Sequence, residues 1–483
     1  MMIDLEEQLH RYSDFKSFRP GQKAVLTQLL NHHDTLAVLP TGGGKTLLYQ
    51  LYGAITKQRV IIVSPLISLM QDQVSRLQYL GSKRVIAITS AMAFEERVAI
   101  LAHLNQYQFI YVSPEMLANA TVLAAISRQE TGLLVVDEAH CISEWGPDFR
   151  PDYLKLRTIR KQLGNPLILM MTATATKATR TDILVKMGFS PENVEQVIMP
   201  TNRANIFLSA KICLNQKEKN QVLVDLVSQL NGAGIIYFSS KSQAEQMAAT
   251  LTQQTGKRVM AYHGGMANQR RFRIQQQFMN DAIEIVCATS AFGMGIDKAN
   301  VRYVIHYHLP ANIQSYVQEI GRCGRDGHQS LAILLYEPND QYLQLNLMAA
   351  TIPENQLLAH LYQHPNQLSQ NDAFRVIKYY YDNGKSFEQA TQIFNQAKLR
   401  RQRELNTMIR YIYTTGCRRK LLLQYFDETI HDLNPDLCCD FHTDFWGHWQ
   451  SFNQQYLMQT QSVEKKPLND WRAILDRLFL LKN

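Results

Sequence analysis

The chain has 483 residues, of which 46% are hydrophobic and 19% charged, and its formal net charge is +8. This length predicts roughly three domains of ~150 residues each, and the apolar content excludes an intrinsically disordered chain. No apolar stretch reaches the roughly 20 residues of a transmembrane helix, and the acidic, mixed N-terminus does not resemble a signal peptide. Four of the seven cysteines are scattered singly, which indicates a reducing compartment. We therefore expect a cytoplasmic protein with no membrane partner.

Residues 1–200 alternate short apolar runs with amphipathic stretches. Six runs predict buried strands that end in polar loops, at residues 33–40, 59–65, 84–90, 109–114, 132–140 and 167–175. The same pattern returns five times in the next part of the chain, at residues 232–240, 258–266, 283–290, 301–310 and 331–338. Continuous apolar runs that alternate with amphipathic stretches predict parallel sheets with helices on both faces. We expect two α/β domains in series, divided near residues 199–206.

A glycine-rich loop, LPTGGGKT, follows the first predicted strand and opens a helix. Backbone N–H groups of such a loop bind phosphate oxygens. The residues expected to do so are Thr41, Gly42, Gly43 and Gly44. Lys45 would reach the terminal phosphates and Thr46 would bind Mg²⁺. A strict P-loop has glycine where Leu39 stands, so this is a variant, and a plain glycine-rich turn is the alternative.

Two carboxylates end the strand LLVVDEAH. Asp137 would complete the metal site, and Glu138 would orient and deprotonate the attacking water. An acidic pair after a strand is common by itself, but it is improbable as a coincidence next to an upstream P-loop. The pair therefore predicts an ATP-hydrolysing site.

Eleven segments of residues 1–340 follow one another in a recognisable order, among them FRPGQ, TGGGKTLLYQ, SPLISLMQDQV, YVSPEML, DEAH, SEWGPDFRPDY, TATAT, AYHGGM, ATSAFGMGIDK and QEIGRCGRDG. In sequence, order and spacing these segments resemble the RecQ family of superfamily-two helicases. The resemblance implies two RecA-like P-loop domains, at residues 1–200 and 201–340. A helical region at 341–450 and a tail at 451–483 would follow. It also implies an ATP-dependent DNA helicase that moves 3′→5′ on single-stranded DNA in repair or recombination, with ATP and Mg²⁺ as cofactors.

The resemblance assigns further nucleotide contacts. Phe15 would stack on adenine, Gln22 would pair with its edge and Arg19 would assist. An amide suits adenine because it offers one donor and one acceptor. From the second domain, Arg325 and Arg322 would reach the γ-phosphate across the cleft. Asp297 would contact the ribose, and domain closure around ATP would provide a motor.

The predicted DNA path begins in the aromatic loop after DEAH. Trp145, Phe149 and Arg150 match the family's DNA-coupling loop, and Tyr153 lies in the same stretch. Aromatic faces stack on bases and arginine binds phosphate. Pro147 replaces the usual histidine, and aromatics that merely cap the sheet are the alternative. The positions that match phosphate-tracking residues are Ser64, Gln71, Gln73, Ser113, Ser239, His263 and Thr289.

Helical stretches dominate from about residue 340, and Ser386 is the predicted N-cap of the longest. Eight Lys or Arg residues stand against one Glu in residues 398–420. Arg400, Arg403 and Arg410 fall near one helical face, which predicts either a phosphate-binding stripe or a solvated surface. The span between QEIGRCGRDG and Cys417 implies an extra helical insertion near residues 350–395. Its short helices form either a helix-turn-helix-like unit or plain packing.

The run PDLCCDFH resembles the end of the RecQ zinc subdomain, with Cys417 as the first ligand upstream. Cys439 and His442 match two further ligand positions, and either Asp436 or Cys438 would complete the tetrahedron. A degenerate site without zinc is the alternative. The residues after His442 are too few for the winged-helix and C-terminal helical domains of longer members.

Three functions remain open at this stage. The first is a short RecQ-like helicase acting on single-stranded and tailed or branched duplex DNA, as a monomer associated with the nucleoid. The second is a DNA-stimulated translocase that separates strands weakly because the usual wedge is missing. The third is an ATP-gated DNA-binding or annealing protein, which the complete set of Lys45, Glu138 and Arg325 disfavours.

Overall fold

The computed structural model describes residues 3–13, 15–65, 67–79, 81–143, 151–293, 298–369, 374–429 and 434–457. The first part of the chain builds a parallel sheet of strands β1 (Thr35–Val38), β2 (Val60–Val63), β3 (Val85–Ile88), β4 (Phe109–Val112), β5 (Leu133–Val136), β6 (Leu167–Thr172) and β7 (Glu195–Ile198). Their spatial order is β3-β4-β2-β5-β6-β1-β7. All neighbouring strands run parallel.

Helices cover both faces of this sheet, and two separate apolar cores lie on its two sides. The helices are α1 (Leu5–Tyr12), α2 (Gln22–Leu30), α3 (Lys45–Thr56), α4 (Ile67–Tyr79), α5 (Phe94–Ala102), α6 (Pro114–Leu117), α7 (Ala120–Ser127), α8 (Leu156–Gln162) and α9 (Lys177–Met187). Strands β1, β2, β4 and β5 are buried throughout. Burial on both faces explains why their sequences are unbroken apolar runs.

The second sheet contains β8 (Ile206–Ile212), β9 (Ala233–Tyr237), β10 (Val259–Tyr262), β11 (Ile285–Ala288), β12 (Val301–His306) and β13 (Ser330–Tyr336). They are ordered β10-β11-β9-β12-β13-β8 and are again parallel. The helices of this part are α10 (Gln216–Gln229), α11 (Lys241–Thr255), α12 (Asn268–Met279) and α13 (Ile313–Ile320). The predicted fold of two parallel-sheet domains is confirmed.

Every predicted strand is present, but β7 and β8 were not predicted. Strand β7 is an edge strand with three polar or exposed positions in its sequence EQVI, so it lacks the apolar run of a central strand. Strand β8 lies directly after the expected domain boundary. It is an edge strand of the second sheet and, unlike β7, is buried over most of its length.

The C-terminal region is helical, as predicted. Its helices are α14 (Asp340–Thr351), α15 (Asn355–Gln363), α16 (Arg375–Asp382), α17 (Phe387–Ile412), α18 (Arg418–Tyr425) and α19 (Phe445–Phe452). Ser386 caps α17 in a reciprocal capping box with Gln389, which confirms the predicted N-cap. Helices α15, α16 and the first half of α17 surround a small apolar core of their own. The second half of α17 joins the core of the second sheet through Leu405 and Met408.

The three arginines predicted to form either a phosphate-binding stripe or a solvated surface on α17 differ in their surroundings. Arg400 pairs with Glu404 at 3.0 Å, whereas Arg403 and Arg410 are exposed. In the same basic stretch Arg418 and Arg419 are buried, because their guanidinium groups bind a carboxylate and backbone carbonyls inside the protein. Much of the local basic charge is therefore structural. Over the part of the chain that the structure describes, no helix is long and apolar enough to cross a membrane.

Candidate active site and nucleic-acid interface

The predicted nucleotide-binding residues, apart from Asp297, line one cavity of about 300 Å³ between the two sheets. From the first sheet it receives Phe15, Arg19, Gln22, Thr41, Gly42, Gly43, Gly44, Lys45, Thr46, Asp137 and Glu138, and from the second Arg322 and Arg325. The P-loop follows β1, and α3 begins at Lys45. The loop's N–H groups and the helix N-terminus therefore face the same space, which suits an anion.

Glycine is required in the loop for conformational and steric reasons. Gly42 and Gly44 have φ of 82° and 72°, which side chains with a Cβ rarely adopt. A Cβ on Gly43 would lie 2.8 Å from the carbonyl oxygen of Pro40. The loop thus keeps its backbone accessible to phosphate despite Leu39, which is buried in the apolar core below. Nζ of Lys45 donates to the carbonyl oxygen of Leu39 at 3.3 Å.

The residues predicted to read adenine lie beside the P-loop. Nε2 of Gln22 donates to the carbonyl oxygens of Gly43 and Gly44 at 3.0 and 3.1 Å, and its Oε1 accepts from the backbone N–H of Arg19. The amide is therefore engaged in holding the loop. The Arg19 guanidinium donates to the carbonyl of Gly42. Phe15 is 45% exposed at the rim of the cavity, where an aromatic face is open to a base.

Asp137 and Glu138 follow β5 and face the P-loop. Glu138 adopts a left-handed conformation with φ of 49°, which is uncommon outside glycine and is found at functional sites. Burial, and next the charge of Glu138, raise the pKa of Asp137. Burial also opposes ionisation of Glu138, but His140 and Lys45 outweigh it and lower the pKa of Glu138. The half-buried carboxylate of Asp137, the buried one of Glu138 and the Thr46 hydroxyl lining the same cavity form an oxygen-rich set that suits Mg²⁺.

Several side chains that support the carboxylates were not predicted from the sequence. Nδ1 of His140 lies 3.2 Å from Oε2 of Glu138. The hydroxyl of Tyr153 donates to the backbone oxygen of Asp137 at 3.1 Å. Tyr153 is fully buried, so the interpretation of it as part of a base-stacking loop is wrong. Its aromatic ring is needed in the core of the first sheet.

Tyr49 and Tyr111 form a second buried support behind the site. Their hydroxyl groups are 3.3 Å apart. Burial raises the pKa of Tyr111 to about 12, so this hydroxyl remains protonated. The sequence offered no signal for either residue, because a buried tyrosine next to a motif looks like any core aromatic.

Arg322 and Arg325 follow α13 of the second sheet and enter the cavity from the side opposite the P-loop. Arg322 is buried and donates to the carbonyl of Gly293. The side chain of Arg325 packs so close to Gly42 that a Cβ there would lie 3.2 Å from Cδ of the arginine. Arg325 therefore reaches the phosphate-binding loop of the first domain, and Arg322 lines the same cavity. Cys323, between them, is buried in the core of the second sheet.

The predicted phosphate-tracking residues lie mostly at the carboxyl ends of neighbouring strands. Ser64 and Ser113 follow β2 and β4, while Ser239, His263 and Thr289 follow β9, β10 and β11. The carboxyl edge is where open α/β sheets bind ligands. Gln71 is exposed on α4, whereas Gln73 points to the nucleotide cavity and lines its wall.

Some of these polar atoms are already engaged. Ser113 caps α6 by accepting from the backbone N–H of Met116, and Ser239 Oγ accepts from Nε2 of Gln344 at 2.9 Å. His263 Nε2 lies 2.9 Å from Glu245 Oε1. Among the described residues Ser64 Oγ has no hydrogen-bond partner. Trp145, Phe149, Arg150 and Asp297 lie outside the described residues.

A separate cluster brings together Cys417, Cys438, Cys439 and His442, whose ligand atoms all lie within 4.8 Å of one another. The sulfur–sulfur distances are 3.5, 3.7 and 3.8 Å. Zinc–sulfur bonds of about 2.3 Å at tetrahedral angles place sulfur atoms at about this separation. The neighbouring thiols of Cys438 and Cys439 lower the pKa of the Cys417 thiol, and the same contacts raise the pKa of the Cys438 thiol. Among the described residues the cluster includes Cys438 and not Asp436.

The cluster is tied to the edge of the second sheet. The backbone N–H of Leu208 donates to the oxygen of Cys438, and that of Asp440 donates back to the oxygen of Leu208, at 3.2 and 3.0 Å. Oδ2 of Asp440 accepts from the N–H of Ala210 at 2.8 Å, while its Oδ1 accepts from Nε of Arg418 at 2.6 Å. The loop that carries two of the thiols therefore pairs alongside β8 and protects this edge of the sheet.

Three family models match the chain along its length. They are the DEAD/DEAH box helicase at residues 19–183, the helicase conserved C-terminal domain at 218–327 and the RecQ zinc-binding domain at 374–443. The chain is 37% identical to the probable ATP-dependent DNA helicase RecS of Bacillus subtilis, over 100% of this chain and 99% of that protein. The chain belongs to the RecQ family.

Other members of the RecQ family are longer. The chain is 39% identical to the ATP-dependent DNA helicase RecQ of Haemophilus influenzae, over 72% of this chain and 56% of that protein. Among solved structures it resembles the helicase Lhr of Mycobacterium smegmatis bound to ssDNA and AMP-PNP. The TM-score is 0.58 at 20% identity, over 77% of this chain and 56% of that one. This likeness establishes the shared fold.

Proposed function

We propose that this chain is an ATP-dependent DNA helicase that moves 3′→5′ on single-stranded DNA and separates duplexes in repair or recombination. The observation that carries the proposal is the single cavity in which the P-loop and carboxylates of one domain meet Arg322 and Arg325 of the other. A site built from two domains couples hydrolysis to their relative motion. Family membership supports DNA as the track, and so does the full-length likeness to RecS.

We assign a role to each group around MgATP, were it bound. Lys45 and the P-loop N–H groups bind the β- and γ-phosphates, while Thr46 and Asp137 hold Mg²⁺. Glu138 orients the attacking water and accepts its proton. Arg322 and Arg325 stabilise the charge that develops on the γ-phosphate. Because these arginines belong to the second domain, full stabilisation requires a closed cleft.

DNA binding is assigned to the carboxyl edges of the two sheets. Ser64 and Ser113 on one sheet, and Ser239, His263 and Thr289 on the other, would contact phosphates of a single strand. Small hydroxyl groups position a backbone without reading its sequence. Closing and opening the cleft changes the spacing between these two sets, which provides a step along the strand. Single-stranded and tailed or branched duplex DNA are the proposed substrates, bound by a monomer at the nucleoid in the cytoplasm.

Zinc is the proposed occupant of the cysteine cluster. Three thiolates and one imidazole form an accepted tetrahedral set, and the sulfur spacing fits it. The metal would cross-link the start of α18 to the loop that pairs alongside β8. Its role is structural, because four protein ligands leave no open position for a reacting molecule.

Steady-state ATP hydrolysis with and without single-stranded DNA tests the proposal. Wild type should hydrolyse ATP many times faster with DNA present. Lys45→Ala should abolish this activity, while Lys217→Ala, at an exposed lysine of α10, should leave it unchanged. Hydrolysis that is equally fast without DNA would reject the motor. Stimulated hydrolysis with no strand separation would instead favour the translocase.

A further inference from the structure

The C-terminal helices contact the first domain on both sides of residues 144–150. Nη1 of Arg400, in α17, donates to the carbonyl oxygen of Ser143 at 3.3 Å. Nη2 of Arg375, in α16, donates to Oδ2 of Asp152 at 3.0 Å. Both arginines therefore bind the part of the first domain that follows the DEAH motif, one through a backbone carbonyl and the other through a carboxylate.

The Arg375 contact is built on a buried carboxylate. Asp152 is 4% exposed, and its other oxygen, Oδ1, accepts from Nζ of Lys155 at 2.8 Å. A buried carboxylate requires such partners, since its charge is costly without them. Arg375 supplies the partner from the C-terminal region.

Each contact is made to a segment that also carries a side chain contacting Asp137 or Glu138. Ser143 ends the short helical turn Ala139–Ile142, which carries His140 to within 3.2 Å of Glu138. Asp152 precedes Tyr153, whose hydroxyl donates to the backbone oxygen of Asp137. Displacement of either segment would thus move a group that touches Asp137 or Glu138.

Helix α17 connects these contacts to the second domain. It is continuous from Phe387 to Ile412, which corresponds to about 39 Å at ~1.5 Å per residue. Its first half packs in the small core with α15 and α16, and Leu405, Met408 and Tyr411 pack in the core of the second sheet. Arg400 lies between these two halves. A shift of the second domain would therefore be transmitted along α17 to Ser143.

We propose that Arg375 and Arg400 are positioning residues through which the C-terminal helices set the catalytic carboxylates. Neither arginine lines the nucleotide cavity. They hold the two segments that support Asp137 and Glu138, so the carboxylates reach their working geometry only when α16 and α17 are in place. The inference rests on the proposed ATPase function and adds the C-terminal helices to its machinery.

The test compares Arg375→Gln, Arg400→Gln and the double variant in DNA-stimulated ATP hydrolysis. The double variant should lose roughly tenfold in kcat, because small misplacement of catalytic groups is costly, while its KM for ATP changes less than about twofold. Lys398→Gln, at an exposed lysine of the same helix outside the predicted arginine stripe, is the matched control and should behave as wild type. Melting temperature and zinc content of every variant are measured alongside.

A charge exchange separates positioning from general destabilisation. Asp152→Arg alone should lower kcat, and adding Arg375→Asp should restore at least half of the loss. Arg400→Lys, which keeps a donor, should retain more activity than Arg400→Gln. Unchanged kcat in the double variant of an active wild type would overturn this inference alone. A rise in the KM for ATP as large as the fall in kcat would also overturn it. So would a charge exchange that fails to restore kcat. An inactive wild type would overturn the proposed function and this inference with it.

Discussion

Nε2 of Gln275 donates a hydrogen bond of 2.6 Å to Oδ2 of Asp72, and so joins α12 of the second domain to α4 of the first. Gln275 is only 7% exposed, and burial raises the pKa of Asp72. Asp72 lies between two glutamines of α4. Gln71 is exposed, and Gln73 lines the wall of the nucleotide cavity. The bond therefore spans the cleft between the nucleotide site and the predicted DNA path.

Removing this bond should weaken closure of the cleft. A hydrogen bond to a charged group contributes about 1.5 kcal/mol, and 1.4 kcal/mol is about tenfold in an equilibrium. Gln275→Ala should thus reduce DNA-stimulated kcat/KM for ATP by up to roughly tenfold. The neighbouring exposed Gln276→Ala is the control. Equal kinetic constants for the two variants would show that the bond does not assist closure.

Arg325→Ala should separate nucleotide binding from hydrolysis. An arginine that stabilises transition-state charge contributes at least roughly 10³-fold to kcat in phosphoryl transfer. We expect a loss of that order in DNA-stimulated kcat, with affinity for a fluorescent ATP analogue changed by no more than about threefold. Arg128→Ala, at an exposed position after α7, should be unaffected. A large loss of affinity with unchanged kcat would assign Arg325 to ground-state binding instead.

The fourth zinc ligand can be identified by elemental analysis. Wild type should contain about one zinc per chain. Cys438→Ala should lose it, because its sulfur lies 3.5 Å from that of Cys417, whereas Asp436→Ala should retain it. Chelation should also lower the melting temperature of wild type, since the metal fixes the loop that pairs alongside β8. Zinc lost from Asp436→Ala but kept in Cys438→Ala would reverse the assignment.

His308 should make stability depend on pH. Burial lowers its pKa to about 3, and its Nδ1 accepts from the backbone N–H of Ser239 at 3.0 Å, so the folded protein holds it neutral. The unfolded chain binds a proton near the ordinary value of about 6.5. Protonation below that pH favours the unfolded state, so this contribution is present above pH 6.5 and is lost as pH falls toward 3.

Urea unfolding at pH 7.5 and 5.5 measures this contribution. His308→Gln keeps an acceptor for Ser239 but cannot titrate. The free energy of unfolding should fall between these pH values by about 1 kcal/mol more in wild type than in the variant. Parallel pH profiles for the two proteins would mean that His308 is not held neutral by the fold.

The sequence allowed the sheets to be predicted because their central strands are buried on both faces and read as apolar runs. Strand β7 (Glu195–Ile198) was not predicted, because an edge strand needs no continuous apolar run. The P-loop, the carboxylates and the two arginines were predicted to share a site, and the structure brings them to one cavity. Their individual roles remain predictions.

The supports of the site could not be predicted, since their function depends on packing. Tyr153 carries the same aromatic signal as a base-stacking residue, and only its burial against Asp137 distinguishes the two. Arg418 and Arg419 likewise contribute to a basic run, although their charges are used inside the fold. The choice between Asp436 and Cys438 depended on a short turn at Pro435–Leu437, whose geometry brings Cys438 to the other thiols.

Unwinding of a short duplex with a single-stranded 3′ tail decides whether this chain is a 3′→5′ helicase. Labelled strand should be released by wild type with ATP and Mg²⁺, and not with a non-hydrolysable analogue or by Lys45→Ala. A blunt duplex and a duplex with a 5′ tail should remain intact. The 3′→5′ helicase function is ruled out if the 3′-tailed duplex stays paired while DNA-stimulated hydrolysis proceeds, or if the 5′-tailed duplex is separated equally well.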